Sequence, residues 1–295
     1  MLENLSPKAN EIYLDCTFGA GGYSAAILKS VDCKLYAIDR DETAKKFAVK
    51  LQENYPQNFE FLRGQFSDAK NLLAEKGVSQ IDGIVLDIGV SSMQFDDKER
   101  GFSFDSDAKL DMRMDQKSDL TAFEVVNNFD EEDLFRIIKE FGEEPKAKLI
   151  ARKIVQVRRS KTITSCRELA DIVRSFYFGY SKTDPATRTF QALRIFVNQE
   201  LEELKKILQD STHLLKKGGR LVVVSFHSLE DVIVKNFLKK CAGLDVVSSR
   251  YEPLKVKDSD RIFQIVNKSA IQASSEELKD NVRARSAKMR VAIRL

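Results

Sequence analysis

The sequence predicts an α/β protein in which a parallel sheet is interrupted by an inserted helical domain. In the first part of the chain, short β-branched runs alternate with helical stretches, which is typical of βαβ units. Residues 101–189 then show helical periodicity without a convincing strand, and strand patterns resume at Arg220–Ser225. We therefore predict three segments, 1–104, 105–189 and 190–295, of which the first and third form one α/β domain.

The elements follow from local patterns. Four strands are predicted from apolar, β-branched runs: Glu11–Cys16, Lys34–Asp39, Phe59–Arg63 and Ile81–Ile88. Helical stretches separate them: Gly22–Ser30, Glu42–Asn54 and Ser67–Lys76. A long amphipathic helix is predicted to end in Lys216–Gly219, ahead of the strand at Arg220–Ser225. Two more strands complete the sheet: Arg261–Asn267 and Lys288–Arg294.

Composition narrows the class of protein. The chain has 295 residues, 43% hydrophobic and 32% charged, which predicts a soluble globular protein with a sizeable core. No segment has the roughly 18 consecutive apolar residues of a membrane span, and the start lacks the features of a secretory signal. We therefore expect a cytoplasmic protein. The four cysteines form no CxxC pair, and the two histidines lie far apart, so we expect buried thiols and no metal site.

The charge balance does not by itself predict a nucleic-acid partner. The chain has 48 basic and 45 acidic residues, a net charge of +3. Two segments are locally basic, Arg152–Lys161 and Arg283–Arg294. Taken alone, each is more typical of a solvated face than of an RNA contact.

A glycine-rich loop, Asp15–Tyr23, joins the first strand to the first long helix. Glycines allow a tight turn and a close ligand approach, and a helix N-terminus offers free N–H donors. The crowded GxGG pattern differs from the GxGxxG of dinucleotide sites, and the acidic residue after the strand suits a ligand with an ammonium group. S-adenosylmethionine, another nucleotide and a purely structural turn all stay open.

Carboxylates end the next strands. Asp39 lies where a carboxylate accepts hydrogen bonds from the ribose hydroxyls of a nucleotide, whereas Asp41 is predicted to be a helix N-cap. Phe66, just past the third strand, suits either adenine packing or the core. Asp87 ends the fourth strand and begins a long polar loop, at the edge where ligands of open α/β sheets bind.

The segment Ser225–Asp231 follows the fifth strand and should open onto the same edge as Asp87. His227 is a candidate base or base-stacking group. Ser228, with Asp231 three residues later, resembles a capping box, so we predict Ser228 as the N-cap of the next helix.

Long ordered blocks resemble the bacterial ribosomal RNA small subunit methyltransferase H family, also called MraW. They are DCTFGAGGYS, LDIGVSSMQFDDKERGFSFDSDAKLDMRMD, DPATRTFQALRIFVNQEL, GGRLVVVSFHSLEDVIVKNFL and RARSAKMRVAIR. The resemblance implies a class I S-adenosylmethionine-dependent methyltransferase (Rossmann-like) fold with an inserted helical substrate-recognition domain. It also implies N4-methylation of a cytidine in the decoding region of 16S rRNA, with the 30S subunit as partner.

Carried over by motif, the resemblance implies seven cofactor-binding residues: Gly21, Gly22, Tyr23, Asp39, Phe66, Asp87 and Gln94. The family usually has histidine at Tyr23; a backbone contact survives that change, whereas an imidazole-specific role would not. The family also usually has a His-x-Pro-Val-Leu-Leu-like segment before the first strand, which the printed sequence does not include.

Methyl transfer to an amine needs alignment, a dry pocket and an acceptor for the amine proton. Asp87 is the first candidate acceptor, with a backbone carbonyl, Ser91 or Ser92 as substitutes. Candidates for the target side, of second rank, are Asp111, Arg113 and His227. The two basic segments become candidate phosphate contacts, and so do two arginines of the helical domain, Arg188 and Arg194.

Other interpretations stay open from the residues alone. One is a non-catalytic ribosome assembly factor with a methyltransferase fold. Another is an NAD-dependent oxidoreductase, against which the crowded glycines argue. A third keeps the chemistry but changes the substrate to DNA cytosine or a small molecule, and only the whole-chain resemblance argues against it.

Overall fold

A computed structural model describes residues 1–179, 183–244 and 261–295. The chain forms two compact units. The sheet unit contains Met1–Gly89 and Leu201–Leu295, and the helical unit contains Val90–Glu200. Within the described residues, no helix is long and apolar enough to cross a membrane.

The described part of the sheet unit contains eight strands: β1 (Ile12–Asp15), β2 (Lys34–Asp39), β3 (Phe59–Arg63), β4 (Ile81–Asp87), β5 (Leu215–Ser225), β6 (Phe263–Ile265), β7 (Ile271–Gln272) and β8 (Lys288–Arg294). Their order is β3-β2-β1-β4-β5-β8-β6, and β7 also pairs with β8. Strands β1 to β5 pair in parallel, whereas β8 runs antiparallel to its neighbours. The predicted α/β fold with an inserted helical domain is confirmed.

Helices occur in three stretches of the chain. The first stretch contains α1 (Leu2–Leu5), α2 (Gly22–Ser30), α3 (Lys45–Asn54) and α4 (Ala69–Ala74). The helical unit contains α5 (Ser92–Asp96), α6 (Ala122–Asn128), α7 (Glu131–Gly142), α8 (Ala147–Arg158), α9 (Cys166–Arg174) and α10 (Ala186–Asn198). The last stretch contains α11 (Glu200–Leu214), α12 (Ser228–Cys241) and α13 (Glu277–Asp280).

Both faces of the sheet are covered. Ile84 and Leu86 of β4 pack in one apolar cluster, whereas Val85 between them packs in another. All three are fully buried. A strand buried on both faces needs a continuous apolar run, which explains why β4 was readable from the sequence.

The helical unit has its own apolar core, and its bounds differ from the predicted 105–189. The unit begins at Val90 because Phe102 and Phe104 pack in this core, ahead of the predicted start. At the other end, Leu193 and Val197 of α10 also pack there. Packing, rather than the end of the strand pattern, therefore determines where the helical unit starts and ends.

The prediction that a long helix ends in Lys216–Gly219 was wrong. Helix α11 stops at Leu214, and β5 begins at Leu215, which is buried and pairs with Ile81. The pairing shifts register between Ile81 and Gly83, so the Lys216–Gly219 segment is an irregular part of the strand. Strand β7 was missed altogether, since it is only two residues long.

Candidate active site at the edge of the sheet

The loop between β1 and α2 needs glycine. Gly21 has φ +81°, and a Cβ there would lie 2.8 Å from the ring of Phe18. Gly21 also donates its N–H to the carbonyl of Phe18 at 2.7 Å, which closes the turn. At Gly22, by contrast, a Cβ would meet nothing within 4 Å. The first turn of α2 therefore has open space beside its backbone.

Asp15 is hydrogen-bonded to this loop and to the helix that follows it. It is fully buried at the end of β1; its Oδ2 accepts from the Ser24 hydroxyl at 2.7 Å, and its Oδ1 from the Thr17 N–H at 3.1 Å. Burial raises the pKa of Asp15 to about 6, although these hydrogen bonds act in the opposite direction. The sequence marked this carboxylate only as suiting an ammonium group; its buried position comes from the sheet.

Asp39, at the end of β2, is joined to the same loop. Its Oδ2 accepts from the Gly19 N–H and its Oδ1 from the Asp41 N–H, both at 2.8 Å. Burial raises its pKa. Because a carboxylate has about four acceptor positions, two remain for a ligand. Asp41 accepts from the Thr43 N–H at 2.9 Å, which confirms the predicted N-cap.

Asp87 ends β4 beside the loop. Its N–H donates to the Thr17 hydroxyl at 2.7 Å, which connects the tip of β4 to the glycine loop. Its Oδ1 is buried and has no hydrogen-bond partner among the described residues. Burial, and then the negative charges of Asp15, Glu230 and Glu277, raise the pKa of Asp87 to about 7. Such a carboxyl group can accept or release a proton near neutral pH.

Tyr23 lies in the first turn of α2 and is half-buried. Burial raises its pKa, and the charges of Asp87, Glu277 and Asp15 raise it further. The phenol therefore stays protonated and is a hydrogen-bond donor near three carboxylates. Phe66 begins a short 3-10 turn after β3, and its half-buried ring packs against the core of the sheet unit. Packing against the core therefore accounts for part of this ring, and the rest of it is exposed.

The predicted cap of α12 was wrong by one residue. His227, not Ser228, is the N-cap: its Nδ1 accepts from the Glu230 N–H at 3.5 Å. The Glu230 carboxylate accepts in return from the backbone N–H groups of His227 and Phe226, at 3.2 and 2.8 Å. Glu230 is fully buried, and its Oε1 lies 3.0 Å from His227 Nε2. An imidazole nitrogen here takes the place of the hydroxyl oxygen that usually caps a helix. The three-residue spacing from His227 to Glu230 is that of a capping box and could have identified this cap from the sequence.

The strand tips place this segment beside Asp87. The Ile88 N–H donates to the carbonyl of Val224 at 2.9 Å, so the loops after β4 and β5 leave the sheet side by side. A Cβ on Gly89 would lie 3.6 Å from the Phe226 ring. The expected shared edge of Asp87 and the Ser225–Asp231 segment is therefore present.

Asp111 and Arg113, both in the helical unit, bind one another. Arg113 donates from Nε and a terminal nitrogen to the two carboxylate oxygens of Asp111, at 2.8 and 2.7 Å. Burial alone would raise the pKa of Asp111, but the hydrogen bonds and charge of Arg113 outweigh it, and the pKa is lowered. Arg113 also donates to the carbonyls of Gln116 and Ser118. These contacts brace the loop between α5 and α6.

Gln94 has a clear structural contact. It is the third residue of α5, buried, and its Oε1 accepts from the Ser91 N–H at 3.0 Å. The Ser91 hydroxyl accepts in return from the Gln94 N–H at 3.4 Å, which completes a capping box.

Several basic residues expected to contact phosphate are engaged within the protein. Arg158 donates to the carbonyls at the end of α6, and Arg194 forms a two-point ion pair with the buried Glu200. Arg290 pairs with Asp231 at 2.7 Å. Arg188 is exposed and donates to the Glu143 carbonyl at 3.3 Å. The number of basic residues in these segments therefore overestimates the positive charge that is available to contact phosphate.

The cysteines are free and buried, as expected. Among the described residues, no group of three or more His, Cys, Asp or Glu side chains is arranged to hold a metal ion.

Comparison with known proteins identifies the family. A model of the MraW methylase family matches residues 1–295. A ribosomal RNA small subunit methyltransferase H of Wolbachia sp. subsp. Drosophila simulans (strain wRi) is 50% identical over 296 residues, covering 100% of this chain and 96% of that protein. The protein of the same name from Rickettsia rickettsii (strain Sheila Smith) is 50% identical over 294 residues, covering 99% and 94%.

Among solved structures, an rRNA methylase from Streptococcus thermophilus matches 99% of this chain and 90% of its own, with 12% identity and a TM-score of 0.42. The family model and the relatives at half identity both extend over essentially the whole chain. The chain belongs to the MraW methylase family.

Proposed function

We propose that the protein transfers a methyl group from S-adenosylmethionine to N4 of a cytidine in the decoding region of 16S rRNA, within the 30S subunit. The observation that carries the chemistry is Asp87, whose buried Oδ1 lacks a partner among the described residues and whose pKa is raised to about 7. Family membership supports methyl transfer, and the names of the relatives support a small-subunit rRNA substrate.

The residues at the edge of the sheet fit S-adenosylmethionine. Gly22 leaves space beside the first turn of α2, and Asp39 keeps two acceptor positions, which suits a ribose diol. Asp15 and Asp87 supply negative charge that suits an ammonium or sulfonium group. The proposed contact residues are Gly21, Gly22, Tyr23, Asp39, Phe66, Asp87 and Gln94.

When bound, S-adenosylmethionine supplies a methyl group on a sulfonium, the electrophile of an in-line displacement. The protein must activate a poor nucleophile, because the N4 lone pair of cytosine is delocalised into the ring. The Asp87 carboxylate accepts a hydrogen bond from the amine and then one of its protons. A carboxyl pKa near 7 allows both roles at neutral pH.

If Asp87 is instead engaged by the cofactor, a backbone carbonyl, Ser91 or Ser92 accepts the hydrogen bond from the amine, and the proton released on methylation passes to solvent. The Ser91 hydroxyl already accepts from the Gln94 N–H, which leaves it free to donate and to accept once more.

Three residues remain proposed for the target side. His227 is oriented by Glu230 at the start of α12, and Asp111 with Arg113 braces a polar loop of the helical unit. The cytosine must leave its base stack to reach a buried carboxylate. Because much of the basic charge is paired, we infer that folded RNA in the 30S particle, rather than naked RNA, supplies recognition.

The deciding experiment measures transfer of labelled methyl from S-adenosylmethionine to 30S subunits that lack the modification, with nucleoside mass spectrometry of the product. We expect N4-methylcytidine in 30S subunits and little in naked 16S rRNA. A methylated base other than cytosine, or methyl on ribose, would refute the proposed product.

Calorimetry separates cofactor use from transfer. We expect Asp39→Ala to weaken S-adenosylmethionine binding, because it removes the proposed ribose acceptor and a loop contact. An unchanged affinity would remove Asp39 from the site. If the wild-type protein bound 30S subunits but no cofactor, the non-catalytic assembly factor would be the better explanation.

A further inference from the structure

A cavity lies in the sheet unit, between the C-terminal half of α12 and the edge strand β6. Its volume is about 490 Å³, which is in the range of small-molecule sites. In the strand order, β5 and β8 separate β6 from β4, so this cavity is not part of the glycine-loop site. We propose that it binds an unpaired nucleotide of the RNA substrate, with the base in the cavity and the neighbouring phosphates on its rim.

The inner surface of the cavity is apolar. Leu238 and Ala242 line it from the α12 side, and Phe263 from β6; all three are buried. Ile265 is half-buried, and Leu244 is 62% exposed. Among the described residues, this apolar surface is partly exposed to solvent. Such a surface suits the faces of a nucleobase, which gain from contact with apolar side chains.

The rim is positively charged. Three of its lysines, Lys235, Lys239 and Lys268, are exposed, and the structure gives their ammonium groups no ion pair or side-chain hydrogen bond among the described residues. None of the described lining residues has an acidic side chain. Arg290, also in the lining, is neutralised by Asp231.

This charge contrasts with the rest of the basic residues, many of which are paired. Lys235 and Lys239 are four residues apart on α12, so they lie on one face, one helical turn apart. Lys268 approaches from the segment after β6. Unpaired cations around an apolar cavity match a ligand with a planar apolar part and flanking anions, which is the chemistry of a single-stranded nucleotide.

The choice of RNA rests on the proposed function, because an anionic lipid shares part of this chemistry. The experiment must therefore show both where the ligand binds and whether it is RNA or lipid. Single-stranded RNA of ten nucleotides carrying one 4-thiouridine is irradiated with the full-length protein, and the crosslinked peptides are mapped by mass spectrometry. We expect crosslinks in the peptides that contain Leu244 or Phe263–Lys268.

The matched variants are K235E/K239E/K268E on the rim and K45E/K50E/K70E elsewhere on the sheet unit, with the same change in net charge. All six lysines are exposed, so folding should be unaffected. We expect at least a tenfold loss of oligonucleotide affinity in the rim variant only. Its slope of log affinity against log salt should fall by about 2, since three phosphate contacts to a single strand are lost.

Methyl transfer to 30S subunits supplies a further readout. The rim variant should raise KM for 30S subunits while leaving kcat and S-adenosylmethionine affinity unchanged. Equal effects of both triple variants, or crosslinks confined to other peptides, would overturn the nucleotide site. So would binding to phosphatidylglycerol vesicles that depends on the rim lysines, without RNA binding.

The two proposals can fail separately. Absence of methyl transfer by the wild-type protein would count against the proposed reaction, whereas the crosslink and the affinity measurements need no turnover. Normal transfer with an unaltered KM in the rim variant would refute the cavity and leave the proposed reaction standing.

Discussion

Asp87 combines three properties that rarely occur together in one side chain. It ends a buried strand, one of its oxygens has no partner among the described residues, and its pKa is raised to about 7. A buried acceptor without a partner costs stability, so it is retained where function needs it.

Replacing Asp87 with Asn should abolish the proton acceptor while keeping the shape of the side chain. We expect kcat for methyl transfer to fall by about 100-fold or more. In the wild-type protein, kcat/KM should rise with pH through the Asp87 pKa of about 7, where half of the carboxyl groups are ionised, and level off at higher pH. A folded Asn variant with wild-type turnover would remove Asp87 from the chemistry.

The same substitution should change stability in a pH-dependent way. Because the folded-state pKa of Asp87 is raised from 3.8 to about 7, its ionisation is resisted by the fold, and stability falls as pH rises across this range. The Asn variant lacks this titration, so its free energy of unfolding relative to wild type should increase by about 2–3 kcal/mol between pH 5 and pH 8. Urea denaturation without cofactor measures this; a constant difference would contradict it.

Gly21 and Gly22 form a matched pair within the loop. Gly21→Ala should cost at least about 1 kcal/mol, because φ is +81° and the new methyl group would meet Phe18. Gly22→Ala should leave the free energy of unfolding within about 0.5 kcal/mol, since its Cβ meets nothing. Urea denaturation compares the two, and equal costs would refute this assignment of the turn.

At the scale of elements, His227 at the start of α12 has two candidate roles, capping the helix and taking part in the reaction. The imidazole accepts from the Glu230 N–H as a cap, and the buried Glu230 holds the backbone before the helix. Helix capping alone would account for a histidine at this position, so its proposed catalytic role needs a separate test.

His227→Asn and His227→Ala separate these roles. Asparagine is a good N-cap, so it should preserve stability, whereas alanine should cost about 1 kcal/mol. We expect the Asn variant to keep its stability and its cofactor affinity but to lose turnover, because it lacks the imidazole proposed for the target side. A stable Asn variant with wild-type turnover would limit His227 to capping α12.

At the scale of the whole molecule, the chain has two units, each with its own apolar core. Leu169 of α9 is fully buried in the core of the helical unit, and Ile84 of β4 is fully buried in the sheet unit. Truncating either side chain should cost about 2–5 kcal/mol.

Hydrogen exchange should localise these losses. Leu169→Ala should speed exchange mainly in α6 to α10, and Ile84→Ala mainly in β1 to β5, because each core supports its own elements. Backbone amides, resolved by mass spectrometry, give the comparison. If either variant accelerated exchange equally across both units, the chain would behave as a single cooperative unit.

The sequence by itself determined the elements and the family. Strands β2, β3 and β8 and helix α2 have the bounds that periodicity predicts, since alternation, apolar runs and glycines act locally. The long ordered blocks identified the MraW family, which the family model confirms. The glycine loop and the carboxylates at the strand tips were also readable, because parallel strands bring their carboxyl ends to one edge.

Only the tertiary structure decided how these groups behave. Asp87 and Asp111 are the same residue type, yet burial among negative charges raises the pKa of Asp87, whereas hydrogen bonds from Arg113 lower that of Asp111. Partners distant in sequence, such as Asp231 for Arg290, decide which basic residues stay available. Solvation and long-range pairing are set by packing, and packing is not a local property of the sequence.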